Sequence, residues 1–424
     1  MKIIDLFLKK QKIENMNNFL VDTTKGMIKY EAEIRVRMER YFEEQIPLNE
    51  MTKKKITSTN ELKDMHSNNI PFNIYNSMGI DIPNNINSID IFDDFHFSIY
   101  KNLDKNIDNS TIYFEKTNNK IDISQEKIEE LKDVLFKKSN LSTNNIKSIL
   151  KQYNIQSIHL IIGNNIHINK ITTHNESKLV FDFALFKNLI ELTFNDYSKV
   201  SINNSKFSLM KIRVNNMSKL ELNNCIFPEN VEIYSNSFGI VEINNIKTNK
   251  LNLFSFNQSK IKINSIYLKN DFNVSSYDLS LINIEAIKKD TDLNNEQIKV
   301  SLKSKNTSNI TANFEIKESI FEFKIKQYDL STINIKTDKN GINCFQSSIF
   351  LHNNSTFQFK GYLISEKIYV SCSDLSNGDL KNINTEELTI NLNNISHLNI
   401  DGYSGKTRAN VNSMATLKKN RIYK

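Results

Sequence analysis

Three aspartates, Asp278, Asp329 and Asp374, recur at one register position in a 424-residue chain, with Asn306 and Asn353 at the same position between them. If that position repeats along a stack of strands, neighbouring aspartates stand ~9–10 Å apart, two strand spacings. The separation suits an inverting glycoside hydrolase, in which one carboxyl protonates the leaving oxygen and the other activates a water. Aspartate and asparagine also exchange freely at bends, because both tolerate left-handed backbone and satisfy local N–H groups with a side-chain oxygen. No aromatic subsite or basic partner accompanies the row. It therefore reads first as a set of bend residues, and only second as a polysaccharide-cleaving site.

Other chemistry is thinner. The chain has no GxGxxG, GxxxxGK[ST], GxSxG, HExxH or EF-hand pattern, so nucleotide, α/β-hydrolase, zincin and calcium-loop readings find no support. His159, His167 and His174 lack the spacing of metal ligands, and Asp93, Asp94 and His96 read as a loop turn. No metal and no cofactor is expected. Cys225, Cys344 and Cys372 are an odd count without a CxxC pair, which excludes a disulfide scaffold and fits a reducing compartment.

What positions the aspartates is a repeat. Anchor residues Ser177, Ser198, Ser218, Gly239, Ser259, Ser280, Ser308, Ser331, Ser355, Ser376 and Ser396 follow one another at 21, 20, 21, 20, 21, 28, 23, 24, 21 and 20 residues. A less regular copy is expected at Ser157. Six residues before each anchor from Ser198 onward stands an aliphatic residue, from Leu192 and Ile212 to Val370 and Ile390. Two before stands Asn or Asp in every case but Ser237, and two and four after come apolar pairs such as Leu220/Leu222 and Ile261/Ile263. Asn, Ile, Lys and Ser are abundant throughout, as in AT-rich coding, but such bias cannot place residue types in register.

Each unit thus has two alternating strands joined by a polar bend, with a third apolar spot at Phe207, Phe227, Ile246, Ile266 and Ile287. One unit cannot bury its inward face, whereas stacked units can. The pattern predicts a mainly β chain: a right-handed parallel β-helix of about 11–12 rungs of ~20 residues, roughly 55 Å long. An antiparallel hairpin array would want Asn-Gly or Asp-Gly at the bends. The segments LTINLNNISHLNIDG (Leu388 to Gly402) and LNLFSFNQSKIKINS (Leu251 to Ser265) give residues ~150–405 a cadence similar to head GIN-type adhesin repeats. That resemblance implies a surface-binding β-helix without a transferable active site.

The flanks differ. The domain reading is a helical and mixed α+β region over 1–122, a helical cap over 123–153, the β-helix over 154–405 and a basic tail over 406–424. Within 25–45, Met27, Tyr30, Ile34, Met38 and Tyr41 stand at helical spacing, which marks an amphipathic helix able to pack within the chain or to join copies or other proteins. The net charge is +7, and Lys406, Arg408, Lys418, Lys419, Arg421 and Lys424 account for six of it. The body is thus near neutral, which argues against a nucleic-acid groove and leaves the tail as a weak anion contact. Repeat spacing stretches only between Ser280 and Ser355. The added residues place Lys288, Lys289, Asp290, Asp292, Asp338 and Lys339 at one edge, a candidate partner surface.

No run of apolar residues is long enough to span a membrane and the first residues do not form a secretory signal, so a cytoplasmic location is expected, with signal-less export as a variant. The composite expectation is a non-enzymatic structural or binding protein of a bacterial multiprotein assembly. The alternatives are a carbohydrate-active β-helix enzyme and an exported adhesin or effector.

Overall fold

The structure, a computed structural model, describes short stretches between residues 77 and 162, and then residues 168–182, 185–186, 191–207, 210–289, 298–316, 320–412 and 414–423. All of it belongs to the compact unit Ile70–Lys424. The helix predicted over 25–45, with Met27, Tyr30, Ile34, Met38 and Tyr41, lies outside the described residues, as do Asp93, Asp94, Asp290 and Asp292.

From Lys170 onward the chain is a parallel β-solenoid. Alternation in the sequence becomes alternation in burial: Met210–Val214 and Lys219–Asn223 flank one bend, and Ile212, Val214, Leu220 and Leu222 are all fully buried. Ile212 lies beside Leu192 on one side and Ile233 on the other, and Leu222 beside Ile202 and Ile243. The third apolar spot is a third strand, in which Ile246 sits between Cys225 and Ile266. A fully buried Ile, Leu or Phe contributes about 1.5–3 kcal/mol, so each rung is held mainly by the aliphatic columns it shares with its neighbours.

The bend is a type I′ turn. Asn216 and Met217 have φ of 51° and 62°, Asn257 and Gln258 of 50° and 62°, and the anchor N–H closes each turn by donating to the carbonyl three residues earlier (Ser218 to Asn215, 3.0 Å; Ser259 to Phe256, 3.1 Å). The sequence predicts left-handed backbone at the Asn/Asp position. From Glu176 to Leu375 the residue after it is left-handed as well, whatever its type; Ile395 is the exception. The turns also bond to one another: Met217 N–H donates to Ser237 O at 3.0 Å, and Phe238 N–H to Asn257 O at 3.1 Å.

The anchor is serine because its hydroxyl serves three groups in a buried place. Ser280 Oγ donates to Ser255 O in the preceding rung (2.9 Å), accepts from the Tyr277 N–H (3.0 Å) and pairs with Ser276 Oγ (2.7 Å). Ser259 and Ser308 repeat the pattern.

Two boundaries differ from expectation. The first rung is built from residues 88–101, not from Ser157: Ser88–Ile91 pairs in parallel with Lys170–Thr173, and His96–Lys101 with Lys178–Asp182. Ile89, Ile91, Phe97 and Ile99 supply two alternating pairs and are fully buried, but Phe95 stands where later rungs have Ser or Gly, so the anchor column conceals this copy. Ile155–Ile162 lies on the far side of His96–Lys101, followed by the antiparallel strands Ser110–Lys116 and Ser77–Ile82. The helix Gln125–Leu135 buries Leu131 and Leu135 in the same core. At the other end, residues 406–423 are not a free tail. They belong to His397–Val411 and Thr416–Tyr423, because Ala409, Val411 and Leu417 continue the inward columns of Ile390, Leu392 and Leu398.

Ser280→Ala should lower the unfolding free energy by about 1–3 kcal/mol, since it leaves buried backbone groups without their partner. Ser355 Oγ makes no hydrogen bond among the described residues, so Ser355→Ala should be neutral or slightly stabilising. Urea denaturation of the two variants side by side checks the contrast.

Candidate functional site

The second left-handed position of each turn, one residue before the anchor, points to solvent. Glycine would be the unstrained choice there, because a bulky L-residue in this backbone costs about 1–2 kcal/mol. The chain instead places Tyr197, Met217, Phe238, Leu279, Leu330 and Leu375 at φ of 60–66°. With Ile395 and Met414 in the same column, these side chains are 42–64% exposed. Gln258, Thr307 and Asn354 interrupt the column. The result is a ridge along one edge of the solenoid, continuous over Tyr197, Met217 and Phe238 and again over Leu375, Ile395 and Met414. A hollow lined by Asn353, Asn354, Asp374, Leu375, Asn394 and Ile395 lies at its C-terminal part. Exposed apolar side chains on strained backbone serve neither packing nor solubility, and contiguous ones mark contact surfaces.

Beside the ridge, Lys219 Nζ bridges Glu221 (2.8 Å) and Glu242 (2.9 Å). Burial by itself would lower the Lys219 pKa, but its hydrogen bonds and attraction to both carboxylates outweigh that and hold it above the usual lysine value. Lys178, Lys199 and Lys260 stand one residue after their anchors, exposed, with no ion pair among the described residues.

The aspartate row sits at the first left-handed position, directly behind the ridge. Each carboxylate accepts from the asparagine amide of the next rung: Asp278 from Asn306 (2.7 Å), Asp329 from Asn353 (2.9 Å) and Asp374 from Asn394. Asn216 to Asp196 (3.0 Å) extends the ladder backwards. The aromatic residues absent from the sequence reading are adjacent after all, since Tyr277 precedes Asp278 and Tyr328 precedes Asp329. A sugar ring stacks on an open aromatic face, and these faces are occupied. Tyr234, Phe254, Phe256 and Tyr277 stack nearly parallel at 4.6, 6.5 and 5.0 Å, with Lys211 over the Tyr234 ring and Lys303 over the Tyr277 ring. Tyr328 stacks on His352 at 5.4 Å.

Of the two inserted segments the structure describes Lys288, Lys289 and residues 337–343. Glu315 N–H donates to Ile287 O (2.9 Å) and Asp338 N–H to Phe314 O (3.2 Å), which stacks Lys288, Glu315 and Asp338 in successive rungs. Lys288 pairs with Glu315 at 3.5 Å and lies 5.7 Å from the centre of the Tyr267 ring, Asp338 caps the Asn340 N–H at 3.0 Å, and Lys339 is exposed. Lys289 ends the strand Leu281–Lys289. The structure thus joins Lys288 and Asp338 in one corner but does not bring that corner to the ridge, which lies at the preceding bend.

Among the described residues no group of His, Cys, Asp and Glu is arranged to hold a metal ion, and no helix is long and apolar enough to cross a membrane. Cys225, Cys344 and Cys372 are buried free thiols, and Cys372 occupies the inward position its register predicts. Burial pushes Cys225 and Cys372 up to about 12 and Cys344 to about 11. They should therefore resist a thiol-disulfide reagent at about pH 8 in the native protein and titrate fully in denaturant, since the thiolate is the reactive form. Rapid native labelling of any of the three would contradict this closed core.

The fold is similar to that of a "putative adhesin" from Parabacteroides merdae, at 10% identity over 81% of this chain and 95% of that one, with a TM-score of 0.24. It is also similar to a "putative lipid binding protein" from Parabacteroides distasonis, at 9% identity over 82% of this chain and 97% of that one, with a TM-score of 0.18. No family model matches the chain, and no curated protein matches it.

Proposed function

We propose that this protein is a non-enzymatic binding protein: a stiff solenoid that presents the apolar ridge on its turns to a macromolecular partner, as one component of an assembly. The observation that carries this reading is the choice of Tyr, Met, Phe and Leu at left-handed, exposed positions where Asn or Gly would fold with less strain. Loss of stability accepted at a surface site is the signature of a contact made elsewhere. The loop corner with Lys288, Asp338 and Lys339 is a second contact region on the same rod. A glycan hydrolase draws no comparable support, since each aspartate of the row accepts an asparagine amide and the neighbouring aromatic faces are covered.

The combined variant Tyr197→Asn, Met217→Asn and Phe238→Asn separates function from folding. Asparagine tolerates the left-handed backbone, so the denaturation midpoint should hold or rise, by up to about 1 kcal/mol per site. In affinity purification from the native host, read by mass spectrometry, the variant should lose partners that the natural chain retains at fixed stoichiometry. Identical partners at identical stoichiometry would remove the ridge as the recognition surface.

A further inference from the structure

The C-terminal end of the ridge joins two properties. The first is charge. From residue 396 onward the chain carries six cations against one acid, Asp401. The strands His397–Val411 and Thr416–Tyr423 place Lys406, Arg408, Lys418 and Lys419 on the two sides of the last turn. Lys406, Arg408, Lys418 and Lys419 are exposed and make no ion pair among the described residues. Two rungs behind, Asp374 accepts from Asn394, and Asp379 from Asn399 at 2.9 Å with Lys381 at 3.6 Å, while Glu386 and Glu387, the latter beside Lys406, are the exposed acids of the intervening rung. The second property is the apolar crest itself, since Leu375, Ile395 and Met414 stand on three successive turns, the last of them between the two cationic strands, 52%, 42% and 64% exposed.

We infer that this end of the solenoid docks on an anionic lipid surface, with Leu375, Ile395 and Met414 entering the acyl boundary and the flanking Lys and Arg side chains at headgroup level. The inference rests on the reading of the ridge as a recognition surface and names its partner. Nucleic acid would attract the cations but leave the crest in water. A small anion would need a cationic pocket, whereas the hollow beside Leu375 and Ile395 is lined by Asn353, Asn354, Asn394 and the carboxylate of Asp374. A bilayer interface accepts both parts at once: apolar side chains sink about 5–10 Å into the boundary, and basic residues gain from the negative leaflet potential. Spaced one rung apart, ~4.8 Å, the three side chains are near enough to enter as one wedge.

The test is sedimentation of the full chain with phosphatidylcholine vesicles, with and without one-third phosphatidylserine. The protein should partition onto the anionic vesicles and scarcely onto neutral ones, and added salt should weaken the binding. The combined variant Lys406→Gln, Arg408→Gln, Lys418→Gln and Lys419→Gln should lose about fivefold in partition constant for each cation removed. Leu375→Asn, Ile395→Asn and Met414→Asn together should lose about tenfold or more while the denaturation midpoint holds, the loss expected when large apolar side chains no longer enter the boundary. A dye on Met414→Cys should shift to the blue on anionic vesicles, and the buried native thiols leave it the reactive cysteine.

Binding that survives the triple asparagine variant undiminished, or no dye shift, would reduce the contact to surface charge and overturn the proposal. So would equal affinity for duplex DNA that is insensitive to the triple variant. If no vesicles bind while the Tyr197, Met217 and Phe238 variant still loses its host partners, the lipid assignment falls and the ridge reading stands. If that variant also keeps its partners, both fall.

Discussion

Everything in this fold depends on one constraint: a rung can pair with the next only if its backbone follows the same path. From Ser177 to Ser376 a pair of left-handed residues before the anchor sets that path, because two consecutive residues near φ of 50–66° turn the chain within four residues and return its N–H and C=O groups to the neighbouring turn. Aliphatic columns, serine anchors and asparagine ladders all follow from that repetition. Where length varies, as between Lys289 and Ile298 and between Thr337 and Ile342, the paired strands stay in register apart from local bulges.

Repetition also explains how polar groups survive in the interior. A lone buried hydroxyl is unfavourable, whereas one that donates to the rung behind and accepts from its own rung is fully paired. At Ser259, Ser280 and Ser308 the serine column is therefore a paired polar seam through an apolar core, held in place by the pitch of the solenoid. The asparagine ladders do the same on the outside. Asn223 donates to Asn203 at 2.8 Å and Asn264 to Asn244 at 2.8 Å, so the amides prevalent in this chain become inter-rung bonds.

Much of this was legible in the residues. Leu192, Ile212 and Ile233, one repeat apart, announced a shared column, and Cys372 was placed inward by register alone. The first rung is not legible, because Phe95 stands in the sequence position that serine marks in the others and 53 residues, 102–154, lie between it and Ile155–Ile162. The terminal cations were read as a tail because charge dominates their composition, while the alternation of Ala409, Val411 and Leu417 that makes them strands is weak. The ridge is hidden for a different reason. Tyr197, Met217, Phe238, Leu279, Leu330 and Leu375 share the column between Asn/Asp and Ser, but Gln258, Thr307 and Asn354 break the apolar pattern down it. Only the backbone reveals that these side chains occupy a conformation that disfavours them.

The direction of the inter-rung hydrogen bonds carries a mechanical consequence. In a parallel stack they run along the long axis, so tension applied end to end loads one ladder at a time, and the rod peels rung by rung under modest force. Force applied across the axis is shared among all the bonds of a rung and meets far greater resistance. Peeling under axial load should begin where pairing is least regular, as at the register shift between Ile284 and Ile287. A chain built this way bears sideways load as a strut and yields to axial pull as a fuse, with its breaking point set by the rung whose ladder is shortest.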